Sequence, residues 1–298
     1  MIARIGYYAS WIVRCKFLGQ RIPLTSSLII TDRCNLSCKH CTVSNLGYRR
    51  LAFSEIADDI RRLHEAGSRV LIITGGEPFL WRDGDHDLES AVSFARNLGF
   101  FRVVVCTNGT FPLESTADLI WVSLDGLPDT HNFIRSEVFD RVWGNIQASK
   151  HKRLYINLTV SKLNVDSFED ATLHMLECTR IRGVMFHIFT PYIGSADLSL
   201  SQEERRRAAD RMLRLKRRHP WRITNTFDGL KALRDNHWHR PVWSAVVVNQ
   251  GEMSTCCCRN GISNPDVCRE CGCTPAIETW VLQRLRPLAI IENLRFLR

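Results

Sequence analysis

Cys34, Cys38 and Cys41 stand in the stretch Thr31-Asp-Arg-Cys-Asn-Leu-Ser-Cys-Lys-His-Cys-Thr42, a C-x3-C-x2-C spacing. Cubane iron–sulfur clusters usually take four cysteines, so three close thiolates would hold three irons and leave one open to a ligand. Two other chemistries compete. Positions i, i+4 and i+7 share a helical face, which would suit three packed structural cysteines. The polar Asn35, Ser37 and Lys39 between them make a poor apolar core. A structural zinc wants a fourth local ligand, and His40 offers one.

A second group is denser: Cys256, Cys257, Cys258, Cys268, Cys271 and Cys273. Cys268-x2-Cys271 has a common metal-ligand spacing. In an extended segment Cys256 and Cys258 face one way and Cys257 the other. One or two of the triplet can then complete a four-thiolate site. An auxiliary iron–sulfur cluster is the first reading, a structural zinc the second. A disulfide knot ranks last, because the chain has twelve cysteines and no secretory signal in view.

These residues need a scaffold. A chain of 298 residues that is 45% hydrophobic can form one large α/β domain with a small appendage. No apolar run is long enough to span a membrane, and Arg14 and Lys16 break the first apolar stretch. The expected location is cytoplasmic, with peripheral contact at the inner membrane face left open. The net charge of +9 would suit nucleic acid, a phosphorylated substrate or an anionic membrane, and equally a plain solvated surface. There is no clear nucleic-acid motif.

Residues 1–24 read as an amphipathic lead-in, with Ile2, Ile5, Ala9 and Ile12 at helical spacing. The segment suits packing on the core or lying in a membrane interface. Strand and helix signals then alternate. Strands are expected at 28–31, 70–74, 102–106, 119–124, 154–160 and 183–189. Helices are expected at 54–66, 88–98, 138–150 and 166–179, with Ser54 as a cap and Gly67 and Gly99 as stops. Ser201 and Glu204 form a capping box that opens a basic helix to Arg218. Six such repeats argue for parallel βαβ units. Residues 221–298 form a cysteine-rich extension whose tail carries an apolar stripe of Val281, Leu285 and Leu288.

In parallel barrels chemistry sits where strands end. Thr74-Gly75-Gly76-Glu77-Pro78 follows the second expected strand, and Thr107-Asn108-Gly109 the third. Both pass for ordinary turns, although adjacent glycines also let backbone approach a ligand closely. Ser123 and Asp125 alternate with Leu124, so both can face the interior. Asn157 on the fifth strand has the same facing, His131 and Arg135 follow the fourth strand, and Tyr192 lies in the loop after the sixth. Arg135 can hold a carboxylate or phosphate bidentately, or simply pair with Glu137.

Together, the cysteine loop and the Gly-Gly-Glu-Pro turn resemble the radical S-adenosylmethionine (SAM) superfamily. The resemblance covers residues 25–220 and implies a partial (β/α)6 TIM-like barrel. It implies a [4Fe-4S] cluster on Cys34, Cys38 and Cys41 whose open iron chelates SAM. Reduction by a protein such as ferredoxin or flavodoxin would then release a 5′-deoxyadenosyl radical. It assigns Gly75, Gly76, Glu77, Pro78, Asn108, Ser123 and Asn157 to SAM, and Asp125, Arg135 and Tyr192 to the substrate side. An aromatic ring usually precedes the third cysteine in this family; here the residue is His40.

The extension is similar to two branches. SPASM and twitch domains carry auxiliary clusters and imply a peptide or protein substrate. The adenosylhopene-synthase type, resembled by the basic aromatic lead-in and by Asn264-Pro-Asp-Val-Cys268, implies an isoprenoid or lipid. The lipid reading is favoured, the peptide reading is the alternative, and a non-catalytic electron-transfer protein remains as a third class.

Overall fold

The computed structural model describes residues 2–191, 196–256 and 265–297, without the side chains of residues 2–5, 265 and 294–297. Strands β1 (Thr25–Thr31) and β2 (Val70–Gly75) come first, then a short hairpin of β3 (Arg82–Asp83) and β4 (His86–Asp87). After it come β5 (Arg102–Thr107), β6 (Leu119–Ser123), β7 (Leu154–Val160), β8 (Ile181–Ile188), β9 (Ala245–Asn249) and β10 (Glu252–Thr255). The main sheet runs β10-β9-β1-β2-β5-β6-β7-β8. It is parallel except for the β9–β10 pair. The six expected parallel strands are β1, β2 and β5 to β8, curled as a partial barrel.

The added strands are a finding beyond the sequence reading. Residues assigned to the C-terminal extension enter the sheet itself, with Thr25 opposite Ala245 and Ile29 opposite Asn249.

The helices are α1 (Ile2–Ile12), α2 (Phe53–Glu65), α3 (Leu88–Leu98), α4 (Pro128–Arg135), α5 (Phe139–Ala148) and α6 (Phe168–Glu177). Then come α7 (Gln202–Arg218), α8 (Phe227–Asp235), α9 (Pro265–Arg269), α10 (Thr274–Gln283) and α11 (Pro287–Leu297). Local chemistry fixes several ends. Asp87 accepts from Ser90 N at 3.1 Å to open α3, and Gly99 closes it at φ +110°. The capping box of α7 forms as expected, with both Ser201 and Glu204 bonded. Helix α2 differs: it is capped at Ala52, whose N–H donates to Glu55 Oε2 at 2.9 Å, rather than at Ser54. The helix expected at 138–150 is α5, and α4 is an additional helix before it. Pro128 starts α4, where a missing N–H costs nothing, and Asn132 Oδ1 accepts from Val138 and Phe139 N to start α5.

Strand alternation divides the apolar residues. Leu71 and Ile73 join the core beneath α2 and α3. Ile72, Val104 and Leu119 turn inward with Cys106, Trp121 and Tyr155, forming a separate layer inside the barrel. The lead-in packs from below: Tyr7 donates to Gly67 O at 2.9 Å and Trp11 Nε1 to Ile22 O at 2.8 Å. No described helix is long and apolar enough to cross a membrane.

Candidate active site

The cysteine loop leaves β1 and is pressed against the glycine turn after β2. Gly76 N donates to Thr31 O at 2.8 Å and Glu77 N to Arg33 O at 2.8 Å. A Cβ on Gly75 would lie 2.1 Å from Thr31 O, and one on Gly76 would lie 2.3 Å from Arg33 O. Only glycine admits that approach. The two glycines thus hold the loop backbone as well as lining the site. On the far side, Asn45 Oδ1 accepts from Cys34 N at 2.9 Å, a residue that sequence reading missed.

Glu77 is fully buried and locks the turn to the next strand. Its carboxylate accepts from Thr107 Oγ1 at 2.8 Å, Asn108 N at 2.7 Å and Phe79 N at 3.2 Å. Burial pushes its pKa up to about 7 against the pull of those bonds. Asn108 carries the link to the cysteine loop. Its Nδ2 donates to Asn35 Oδ1 at 2.9 Å and reaches Cys34 Sγ at 3.7 Å.

Arg135 reaches the loop from α4. Its Nε donates to Asp125 Oδ2 at 2.5 Å, its Nη1 lies 3.9 Å from Cys38 Sγ, and its Nη2 is 3.3 Å from His40 Nε2. Asp125 Oδ1 accepts from Thr159 N at 2.9 Å. Burial would raise the Asp125 carboxyl, but the Arg135 guanidinium beside it holds it below its usual range. Burial raises the Cys34 thiol, and raises Cys38 to about 11 despite Arg135. His131 is buried behind Asp125, its Nδ1 accepting from Asp125 N at 3.3 Å.

One cavity of about 250 Å³ gathers most of the predicted residues. Cys34, Cys38, Cys41, Gly75, Gly76, Asn108, Ser123, Arg135 and Asn157 all line it. Glu77, Pro78 and Asp125 do not; they are buried behind its wall. Tyr192, Cys257 and Cys258 lie outside the described residues. The cavity also uses Trp121, Thr159, His187 and Phe189, whose inward facing follows from strand alternation but whose types gave no signal. Asn157 Oδ1 is buried there without a hydrogen-bond partner. Such an acceptor calls for a donor from a ligand.

Among the described residues no three His, Cys, Asp or Glu side chains converge on a point that would hold a single metal ion. Cys34, Cys38 and Cys41 all line one cavity, and three thiolates there supply the donors for three irons of a cubane. The donor set, the cavity and the partnerless Asn157 acceptor therefore fit a cluster with SAM.

Among the late cysteines, Cys271 N donates to Cys268 O at 3.2 Å and Cys273 N to Cys271 Sγ at 3.5 Å. Cys256 and Cys271 are buried, Cys268 and Cys273 half-buried. Cys256 bears electrostatically on both Cys268 and Cys271, and Cys273 on Cys271. Burial pushes Cys271 up to about 12. Two arginines frame them: Arg205 Nη2 donates to Cys271 O at 3.0 Å and Arg240 Nε to Cys268 O at 2.8 Å. Gly272 N donates to Thr190 Oγ1 at 3.0 Å, which brings Cys273 to the wall of the first cavity.

Residues 28–173 match the model of the radical SAM superfamily. The barrel of this chain belongs to that superfamily. Its members bind a [4Fe-4S] cluster and SAM. The chain is 29% identical over 256 residues to the Fe-coproporphyrin III synthase of Methanosarcina barkeri, covering 76% of this chain and 63% of that protein. It is 34% identical over 151 residues to the GTP 3′,8-cyclase of Desulforamulus reducens, covering 46% of this chain and 44% of that protein. The chain thus spans less than two thirds of the length of either relative. In structure it resembles Streptococcus suis SuiB bound to its precursor peptide SuiA, with TM-score 0.64, 12% identity and 85% of this chain and 64% of that one covered. It also resembles anSMEcpe with bound AdoMet and the Kp18Cys peptide, with TM-score 0.57, 16% identity and 71% and 66% covered. At these identities the likeness concerns the fold.

Proposed function

We propose that this chain is a radical SAM enzyme whose substrate carries a substantial apolar part, an isoprenoid or lipid being the class that suits it best. One observation carries the reading of the substrate. A second cavity, of about 200 Å³, lies inside the barrel and is lined almost wholly by hydrocarbon. It meets the first cavity at Thr25, Ile72, Trp121 and Pro275. An apolar chain in the lumen would have one end at the SAM site.

When bound and reduced by a ferredoxin or flavodoxin, the cluster and SAM supply a 5′-deoxyadenosyl radical that abstracts hydrogen from, or adds to, an unactivated carbon. The residues of the chain do the rest. Cys34, Cys38 and Cys41 hold the cluster, and Asn108 and Arg135 direct N–H groups at two of the sulfurs. Hydrogen bonds to sulfur tune cluster potential. Asn157 Oδ1 and Ser123 face the space for SAM and orient it. Trp121, Ile72 and Phe189 keep water from the reacting carbon.

A second reading has its own support. The nearness of Cys256, Cys268, Cys271 and Cys273 suits an auxiliary iron–sulfur cluster, and with it a peptide or protein side chain as substrate.

Anaerobic reconstitution of wild type and a Cys34/Cys38/Cys41 triple alanine variant tests both sites. About eight irons in wild type and about four in the variant are expected of two cubanes. 5′-Deoxyadenosine should form only with the first site intact. Four irons in wild type with zinc retained would make the late site structural and weaken the peptide reading. A fully loaded protein that never cleaves SAM, with lipid or peptide present, would point to electron transfer instead. Incubation with isoprenoid lipids and with peptides, read by deuterium transfer into 5′-deoxyadenosine, separates the two substrate classes.

A further inference from the structure

The lumen cavity lies at the opposite end of the barrel from the cysteine loop. Thr25, Val70, Arg102 and Leu119 line it, and each begins or nearly begins its strand. Tyr8, Trp11 and Ile12 from α1 close it on one side, and Leu282 and Ile290 from α10 and α11 on the other. These helical segments are tied together, since Lys16 Nζ donates to Gln283 O at 2.8 Å. The barrel floor is thus built from the two ends of the chain.

That floor is apolar on the outside too. Val13, Phe17 and Leu18 after α1 are 49%, 66% and 64% exposed, and Leu288 and Ile291 on α11 are 57% and 55% exposed. The residues between them are basic. Arg14, Lys16, Arg21, Arg284 and Arg286 are all exposed, and no Asp or Glu occurs in residues 1–24 or 279–291. Arg14 and Lys16 bond to neutral oxygens, Gln20 Oε1 and Gln283 O, and so keep their charge unneutralised. Arg286 is the exception, 3.3 Å from Asp228.

We propose that this floor docks on an anionic lipid bilayer, with Phe17, Leu18, Leu288 and Ile291 entering the headgroup–acyl boundary and the arginines and lysine meeting lipid phosphates. Exposed apolar side chains ringed by cations are what an interfacial surface needs: hydrocarbon to insert and charge to hold it down. An acidic protein partner would satisfy the charge alone. A bilayer satisfies both, and it stores the ligand class that the lumen above would accept. Only that last argument rests on the apolar-substrate reading; the surface stands on its own composition.

The test is co-sedimentation of the full chain with vesicles of phosphatidylcholine alone and with about one third phosphatidylglycerol. The variants are Phe17→Asp/Leu18→Asp and Leu288→Asp, with Trp221→Asp as a control at an exposed ring in neither segment. All four positions are exposed, so folding is retained, and gel filtration and thermal melting check it. Wild type and the Trp221→Asp protein should bind the anionic vesicles, less at high salt, and the patch variants about tenfold more weakly. Absence of binding to anionic vesicles overturns the proposal, and so does equal loss in the Trp221→Asp protein. Self-association that the patch variants abolish, without vesicle binding, would make the floor a dimer interface instead. No activity is measured, so failure here leaves the cluster assignment and the substrate reading untouched.

Discussion

Arg135 donates through Nε to Asp125 Oδ2 at 2.5 Å while its Nη1 lies 3.9 Å from Cys38 Sγ. Both side chains are almost wholly buried. A buried ion pair contributes little net stability when intact, but removing one partner leaves a bare charge in the interior. Arg135→Met should therefore cost about 3–5 kcal/mol in urea unfolding, and Asp125→Asn/Arg135→Met should recover part of it. The pair also sets the charge beside the cluster. Loss of the cation should make the cluster midpoint more negative, and Asp125→Asn should make it more positive, read by redox titration with EPR. Shifts of the same sign in both variants would show that the pair does not act through its charge.

Asn157 offers a cleaner separation of binding from folding. Its Oδ1 is buried without a partner, so the native fold already bears the cost of an unmet acceptor. Asn157→Leu should leave the melting temperature unchanged or slightly higher. SAM affinity of the reconstituted protein, measured by calorimetry, should fall about tenfold, the worth of one buried hydrogen bond. A loss of stability with SAM binding intact would assign Asn157 to the scaffold.

Sequence pattern carried the residues whose structure is local. The ends of α3 at Asp87 and Gly99, and of α7 at Ser201, follow from caps that bond within three or four residues. The barrel strands followed from apolar runs between helices. Strand β9 did not, because Ala245 pairs with Thr25, some two hundred residues away, and nothing near it in the chain records that partner. The site shows the same division. The cysteine spacing and the glycine turn mark a cavity, and Ser123 and Asn157 reach it by simple alternation. Asp125 and Arg135 read equally well as substrate contacts. Their engagement with each other and with Cys38 appears only when α4 is packed against the loop.

Stability should depend on pH through a carboxyl far from the cluster. Glu278 lines the lumen cavity, its Oε1 accepting from Thr226 N at 2.9 Å and its Oε2 shielded with no partner. Burial raises its pKa from 4.5 to about 7. A carboxyl raised in this way holds its proton more tightly folded than unfolded. Its contribution is therefore complete below the unfolded value and is lost as pH climbs through the folded one. Melting temperature should decline between about pH 4.5 and 7, and Glu278→Gln should flatten that decline while leaving the acid-side value nearly unchanged. Glu77, also raised to about 7, should keep a residual slope of the same sign. An unaltered slope in the glutamine variant would mean that Glu278 is charged in the folded protein.

Two glycine substitutions should move in opposite directions. A Cβ on Gly76 would sit 2.3 Å from Arg33 O and 2.4 Å from Asp32 O, both backbone atoms that cannot turn aside. Gly76→Ala must push the cysteine loop away from β2, and iron content after reconstitution should fall together with the melting temperature. Gly144, inside α5, has nothing within 4 Å of the same position. There the methyl group removes only unfolded-state freedom and improves helix propensity, so Gly144→Ala should stabilise by about 0.5–1 kcal/mol with full iron loading. If Gly76→Ala keeps its iron, the loop does not depend on this contact, and the glycines are present for SAM alone.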